Sequence, residues 1–214
     1  MMSELIFTLQ DCEIRQLEPE ELKLAQSILY SAYHDDPLFM QIFRSNKADY
    51  EARLRAAIRE EMATFWEMQQ PIIGLWYQQQ LLGVACLTAP GAAFQGQRLW
   101  HWRLKMLLTA GLLSSQQMLE KERRIHAAMP VSQYHMLAFI ARNPVYNYPQ
   151  AMRHFLLAID HWVDQHADSE GIAVFVTMEK YLGFFTQDQY QPIAQLDFET
   201  VSGRLLYRAK QHNS

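Results

Sequence analysis

The sequence predicts a mixed α/β fold: one sheet with helices on both of its faces. Three observations carry this. Met136–Ala141 and Gly171–Thr177 are continuous apolar runs of strand length, the pattern of strands covered on both sides. Leu22–Ala32, Lys47–Met68 and Met152–Val163 repeat apolar residues at helical spacing. Strand and helix patterns alternate along the chain with no internal repeat and no low-complexity linker, which fits a single domain over residues 1–214.

Taken in order, Leu5–Leu9 and Glu13–Leu17 are short strand candidates. Glu18-Pro19-Glu20-Glu21 starts a helix, with proline early and acids in the first turn. Leu22, Ala25, Ile28, Leu29 and Ala32 give it an apolar face, and it ends at Tyr33-His34-Asp35-Asp36-Pro37, where Pro37 biases Asp36 away from helical geometry. Leu38, Phe39, Ile42 and Phe43 make one or two further helical turns. Lys47–Met68 is a long helix burying Tyr50, Leu54, Ala57, Ile58, Met62 and Phe65. Ile72–Tyr77 and Leu81–Thr88 form a hairpin turning at Gln78–Gln80, and Gly83 inside its second strand marks a bulge or a close approach. Trp100, Leu104, Leu107, Leu108 and Leu112 repeat helically, and a second helix runs from Ser114 or Ser115 to about Ala128. Together these two helices read as an insertion at about 92–130. After the strand Met136–Ala141, a helix opens near Pro149 and buries Met152, Phe155, Leu156, Ile159 and Val163. Gly171–Thr177 is the next strand, Tyr181–Phe185 a short helix or turn, and Phe198–Ala209 supplies at least one final strand.

Composition bounds the function. Half of the residues are hydrophobic and one fifth charged, enough for a sizeable core. A net charge of −4 gives no electrostatic case for nucleic acid or an anionic membrane. Cys12 and Cys86 are too few for a disulfide framework or a four-cysteine zinc site. The amino terminus lacks a basic stretch followed by a long apolar run, and no apolar run approaches the ~18 residues of a membrane span. A cytoplasmic protein is expected, without membrane association. There is no H-E-x-x-H and no Cys/His cluster, and His154 and His161, near two turns apart, are poorly placed for one ion, so no metal is expected. No G-x-S-x-G is present to start a serine-nucleophile reading.

The stretch that organises the chain is Tyr134–Ala167, a strand, a polar turn and an amphipathic helix. A helix start beyond a strand end leaves backbone N–H groups that can hold a phosphate. Here the order of elements and several local strings resemble the GNAT superfamily of N-acetyltransferases, over roughly Glu13–Tyr207. AQSILYSAYHDDPLFMQIF looks like the first helix and turn of a subgroup with a helical insert after its third strand. GLWYQQQLLGVACLTAPG looks like that subgroup's second and third strands, and YHMLAFIARNP like its fourth.

The resemblance implies a largely antiparallel sheet and acetyl-CoA or another acyl-CoA as co-substrate, with a small-molecule amine or a protein amine as acceptor. A homodimer is a further family expectation. Ile140 and Arg142 fall where the fourth strand takes the pantetheine arm through backbone groups. Counting from Pro144, Asn147, Gln150 and Met152 stand at the family's Gln/Arg, Gly and Gly/Ala positions, so the turn Asn147–Met152, with Tyr148 and Ala151, would hold the pyrophosphate. Side chains in place of glycine are expected to crowd it. Phe185 stands at the position of the family's usual proton-donating tyrosine, with the Tyr181 and Tyr190 hydroxyls nearby. Glu179, just past the fifth strand, is a candidate to accept the amine proton, and His135 is a second ionisable group on the fourth strand. Asp35 and Asp36 could meet a cationic acceptor or simply shape the turn. The reading is an acyl-CoA-dependent N-acyltransferase, or alternatively a catalytically degenerate binding or regulatory module on the same fold.

Overall fold

A computed structural model describes residues 11–91, 112–148 and 150–211. The chain up to Arg142 builds one side of a sheet. Strand β1 (Cys12–Gln16) pairs antiparallel with β2 (Ile72–Tyr77), β2 with β3 (Gln80–Thr88), and β3 with β4 (His135–Arg142). The β2–β3 hairpin turns on Gln78 and Gln79, at φ 48° and 63°. Positive φ at both central residues matches the twist of the flanking strands, here without glycine. Between β1 and β2 lie a single 3₁₀ turn (Pro19–Glu21), α1 (Leu22–Tyr33), α2 (Pro37–Ile42) and α3 (Tyr50–Glu67); α4 (Leu112–Ala128) lies between β3 and β4. The remainder follows as α5 (Ala151–Asp164), β5 (Gly171–Val176), a 3₁₀ turn (Glu179–Tyr181), α6 (Leu182–Thr186), β6 (Gln191–Phe198) and β7 (Val201–Ala209). The seven strands form one sheet in the order β1-β2-β3-β4-β5-β7-β6, a mixed and mostly antiparallel sheet as the sequence predicts.

Each face of the sheet carries its own core. One buries Leu29, Phe43, Leu54 and Phe65 of the α1–α3 region and Met118 and Ile125 of α4. The other buries Phe155, Leu156, Ile159 and Val163 of α5 with Phe185 of α6. Helix α5 lies close because Gly83 of β3 is beneath it: a Cβ there would come within 3.0 Å of Met152 Sδ and 3.2 Å of the Ala141 carbonyl oxygen. A register shift opposite Leu75/Trp76 sits in the same stretch, so Gly83 marks both a close approach and an irregular ladder.

Some boundaries differ from the sequence reading. Helix α3 starts at Tyr50 rather than Lys47, because the chain first turns through Arg44 at φ 60° and the Tyr50 N–H still bonds back to Lys47 O. Helix α5 starts at Ala151. The final strand is a hairpin: β6 escaped notice because Pro192 and a register shift between Pro192 and Ala194 interrupt its pattern. Both are tolerated because β6 is at the sheet edge, where an absent N–H leaves no ladder bond unmade. The strand candidate at Leu5–Leu9, the helix around Trp100–Leu108 and Pro149 lie outside the described residues. Among the described residues no helix is long and apolar enough to cross a membrane.

Candidate functional site

The site begins where β4 and β5 part. These parallel neighbours pair only from His135–Leu137 to Ile172–Val174. Beyond that, β4 continues on β3, with Phe139 opposite Cys86, Ala141 opposite Val84 and the Asn143 N–H on Leu82 O at 2.8 Å. Alternation then turns the backbone groups of Ile140 away from β3 and into the notch. They are met there by Tyr33, the last residue of α1: the Ile140 N–H donates to the Tyr33 hydroxyl oxygen at 3.1 Å, and the hydroxyl lies 3.4 Å from the Ile140 carbonyl oxygen. The Tyr33 ring is held edge-on by Phe39 and Phe139, at centroid distances of 5.4 and 5.2 Å. Burial pushes its phenol pKa far above the usual value, against the lowering pull of the Ile140 backbone hydrogen bond and with smaller upward contributions from Asp36, Cys86 and Tyr181.

The other wall of the notch is tied to the same corner. Asp36 is extended, φ −69° and ψ 123°, as the proline after it requires, and its Oδ1 caps α2 by accepting from the Leu38 and Phe39 N–H groups at 2.9 and 3.1 Å. Its Oδ2 accepts from the Thr177 hydroxyl just past β5. The α1–α2 corner therefore bridges the notch, with Tyr33 on β4 and Asp36 at the end of β5. Two open clefts adjoin the corner. One, of about 710 Å³, runs from Pro37 past Arg44 and Lys47 to Glu199 and Thr200. The second, of about 600 Å³, runs from His34 to Tyr50 and Arg55.

At the mouth of the notch the chain turns into α5. Asn143 is buried, donates from Nδ2 to Leu81 O at 2.9 Å and accepts the Val145 N–H at Oδ1 at 3.1 Å, which sets the turn. Arg142 is exposed, and its guanidinium donates to Asn147 Oδ1 at 3.1 Å. Gln150 is exposed and holds an ordinary helical conformation, φ −83° and ψ −15°, so nothing in its backbone calls for glycine. Ala151 is buried, and Met152 and Tyr148 pack on the α5 core, Tyr148 with its edge to the Tyr77 ring. The residues read as cofactor contacts thus divide. Ile140 and Arg142 line the notch and its mouth, and Asn147 and Gln150 lie open at the start of α5. Tyr148, Ala151 and Met152 turn inward, so the Met152 side chain does not stand over the helix start. A fourteen-residue helix entered through a turn that the exposed Arg142 holds at Asn147 suits an anion.

The acid–base candidates also divide. Glu179 is exposed on the 3₁₀ turn after β5. Tyr181 follows it, 46% exposed, near enough to Tyr33 to raise the latter's pKa. Phe185 is buried, edge-on to Phe184 and Tyr190. Tyr190 is fully buried and donates to Asp160 at 2.6 Å, so its hydroxyl serves the core. Asp35 is exposed beside His34. Among the described residues no group of three His, Cys, Asp or Glu side chains could hold a metal ion.

His135 lies at the opposite end of β4 from the notch. It is 1% exposed, with Nδ1 2.9 Å from Ser169 Oγ. Burial, aided by His166 and Lys210, lowers its pKa to about 4. The unfolded chain, with an ordinary histidine near 6.5, therefore binds more protons between those values, and stability rises with pH across that window. Subtracting the urea-unfolding profile of His135→Gln from that of the wild type should leave a difference that grows by about 2 kcal/mol from pH 4 to 6.5. A flat difference would contradict it.

No feature of the sequence marked Tyr33. It precedes the Asp35-Asp36-Pro37 turn but meets Ile140 across 107 residues, a contact no local pattern encodes.

No protein-family model matches the chain, and no curated protein matches it in sequence. Solved structures do match. A structure of "histone acetyltransferase HPA2 and related acetyltransferase" from Corynebacterium glutamicum superposes with a TM-score of 0.70 at 12% identity, covering 95% of this chain and 99% of that one. An agmatine N-acetyltransferase mutant in its apo form gives 0.60 at 11% identity, covering 93% and 99%. FeeM, an N-acyl amino acid synthase from uncultured soil microbes, gives 0.57 at 16% identity, covering 92% and 90%. With its splayed β4 and β5 and its mostly antiparallel seven-stranded sheet, the chain has the fold of the GCN5-related N-acetyltransferases, the GNAT superfamily.

Proposed function

We propose that the chain transfers an acyl group from acetyl-CoA or another acyl-CoA to an amine, borne by a small molecule or a protein. The observation that carries this reading is the notch: a strand-end N–H, that of Ile140, aimed into a gap between strands and met by a side-chain hydroxyl rather than by the ladder. Acyl transfer from a thioester needs a donor for the carbonyl oxygen, a neutral amine and a thiolate that can leave. Ile140 supplies the donor. Glu179, exposed past β5, can take the amine proton through water. The start of α5 with Arg142 would hold the phosphates, while Ala151 and Met152 keep their side chains out of the way. That the structural neighbours named above include N-acetyltransferases and an N-acyl amino acid synthase supports acyl transfer as the class of chemistry.

Arg142→Ala should weaken CoA binding by roughly tenfold, the loss of one charge-assisted contact of about 1.5–3 kcal/mol partly replaced by water. Calorimetric titration with CoA measures it, and an unchanged affinity would remove Arg142 from the site. The function itself is tested in two stages. A thermal shift with CoA and acetyl-CoA reports binding: ligand at about 100 times its dissociation constant adds roughly 2.7 kcal/mol. Release of free thiol on adding a panel of amines reports transfer. Binding without amine-dependent release would point to a binding module instead, and no shift at millimolar ligand would exclude acyl-CoA altogether.

A further inference from the structure

Resting on that reading, we infer that the Tyr33 hydroxyl is a catalytic hydrogen-bond donor to the thioester carbonyl oxygen, acting beside the Ile140 N–H. The position follows from the contact already made. Tyr33 Oη occupies the acceptor place on the Ile140 N–H, at 3.1 Å. A carbonyl oxygen that takes that N–H displaces Oη, which then rests beside it at hydrogen-bond distance. The hydroxyl, relieved of its role as acceptor, holds only a 3.4 Å contact to the Ile140 carbonyl and is free to turn its hydrogen to the new oxygen. One oxygen then faces two donors, one from backbone and one from side chain, in a position lined by aromatic rings.

Three further facts fit this assignment. The ring packs edge-on against the stacked pair Phe39 and Phe139, so the hydroxyl is held beside the Ile140 N–H before the ligand arrives and has only to shift aside for the incoming oxygen. Burial keeps the phenol neutral through the physiological range, which suits a donor that retains its proton throughout the step. The neighbouring hydroxyls are otherwise disposed: Tyr190 is bonded to Asp160, and Tyr181 is on the exposed turn. In the step itself the amine nitrogen forms a bond to the carbonyl carbon, and negative charge collects on the oxygen held by Tyr33 and Ile140. The C–S bond then breaks, and the proton lost by the amine balances the one gained by the departing thiolate, through solvent. Tyr33 ends the step with its own proton.

The test is Tyr33→Phe, which keeps the ring and removes only the hydroxyl. Thiol release at saturating acetyl-CoA should fall by about 10²–10³-fold, the usual effect of removing one such donor. The affinity for CoA, which carries no acyl carbonyl, should stay within about threefold. Turnover within threefold of the wild type would overturn the assignment while leaving acyl transfer standing. A large gain in CoA affinity would also overturn it, making Tyr33 a plug. If Tyr33→Phe does not fold, 3,5-difluorotyrosine at position 33 keeps the shape and lowers the phenol pKa. Activity should then fall off at a lower alkaline pH than in the wild type, and an unmoved profile would overturn the assignment. A wild type that neither binds CoA nor releases it to any amine would remove both this inference and the function beneath it.

Discussion

Arg208→Met should lower the unfolding free energy by about 3–5 kcal/mol, the cost of stripping the partner from buried carboxylates. Arg208 is 6% exposed. Its guanidinium reaches both oxygens of Asp164 and lies 3.6 Å from Asp160, whose other oxygen accepts from the buried Tyr190. Asp160 is already hard to ionise: desolvation raises its pKa to about 7, against the lowering pull of Tyr190 and Arg208. Removing Arg208 removes one of those pulls. The sign of the pH dependence follows. A carboxyl whose folded pKa lies above its unfolded value near 3.8 loses its stabilising contribution as pH rises through the folded pKa, so the deficit of the variant should be larger near pH 8 than near pH 5. Urea unfolding at the two pH values measures both effects. A deficit below 1 kcal/mol, or one that shrinks with pH, would show that water reaches these carboxylates. The network ties the C-terminal half of α5 to β7 and to Tyr190, just before β6, so the helix whose start faces the mouth of the notch is anchored from its far end.

Phe155→Ala should cost a similar 3–5 kcal/mol, from lost burial plus the cavity left behind. Phe155 is fully buried at the N-terminal half of α5, and a Cβ on Gly83 would lie 3.3 Å from its ring. The missing Cβ at Gly83 is what lets so large a ring seat against β3. The site has backbone on one side and the side chains of Leu156 and Ile159 nearby on the other, so it cannot collapse well. Chemical denaturation measures the loss, and a cost under 2 kcal/mol would mean that α5 settles into the space. A settled helix would also shift its first turn, and CoA affinity measured on the same variant would report that movement.

The sequence made the fold legible where a period was long enough to read. The six apolar positions of α3, from Tyr50 to Phe65, are all buried as spaced. The Asp36-Pro37 signal gave both the end of α1 and the capped start of α2. Strand β6 was illegible because an edge strand with a proline and an irregular register has neither clean alternation nor a continuous apolar run. The strand–turn–helix around the notch was legible in the sequence, and the side chains that meet across it were not. Ile140 and Arg142 were named through the family resemblance of the strand, and the structure puts the first at the notch and the second at its mouth. Met152 was read both as a member of the helix's apolar face and as a group over the pyrophosphate, and the geometry favours the first because the helical phase points it at Gly83. Tyr33 belongs to a different layer from the strand it touches, and such a meeting is decided by how the layers pack.

The short pairing of β4 with β5 has a consequence for how this molecule can change. Three rungs join a four-stranded leaf, all of it N-terminal to Asn143, to a three-stranded leaf that is all C-terminal to Glu170. The division in space is thus a division in chain order too, and each leaf can drift in sequence while the other keeps its ladder. On one face α5 packs across both leaves, and across the notch itself reaches a helix corner with two side chains, Tyr33 and Asp36. The width of the opening is thereby governed from the first third of the chain, by residues that belong to neither leaf.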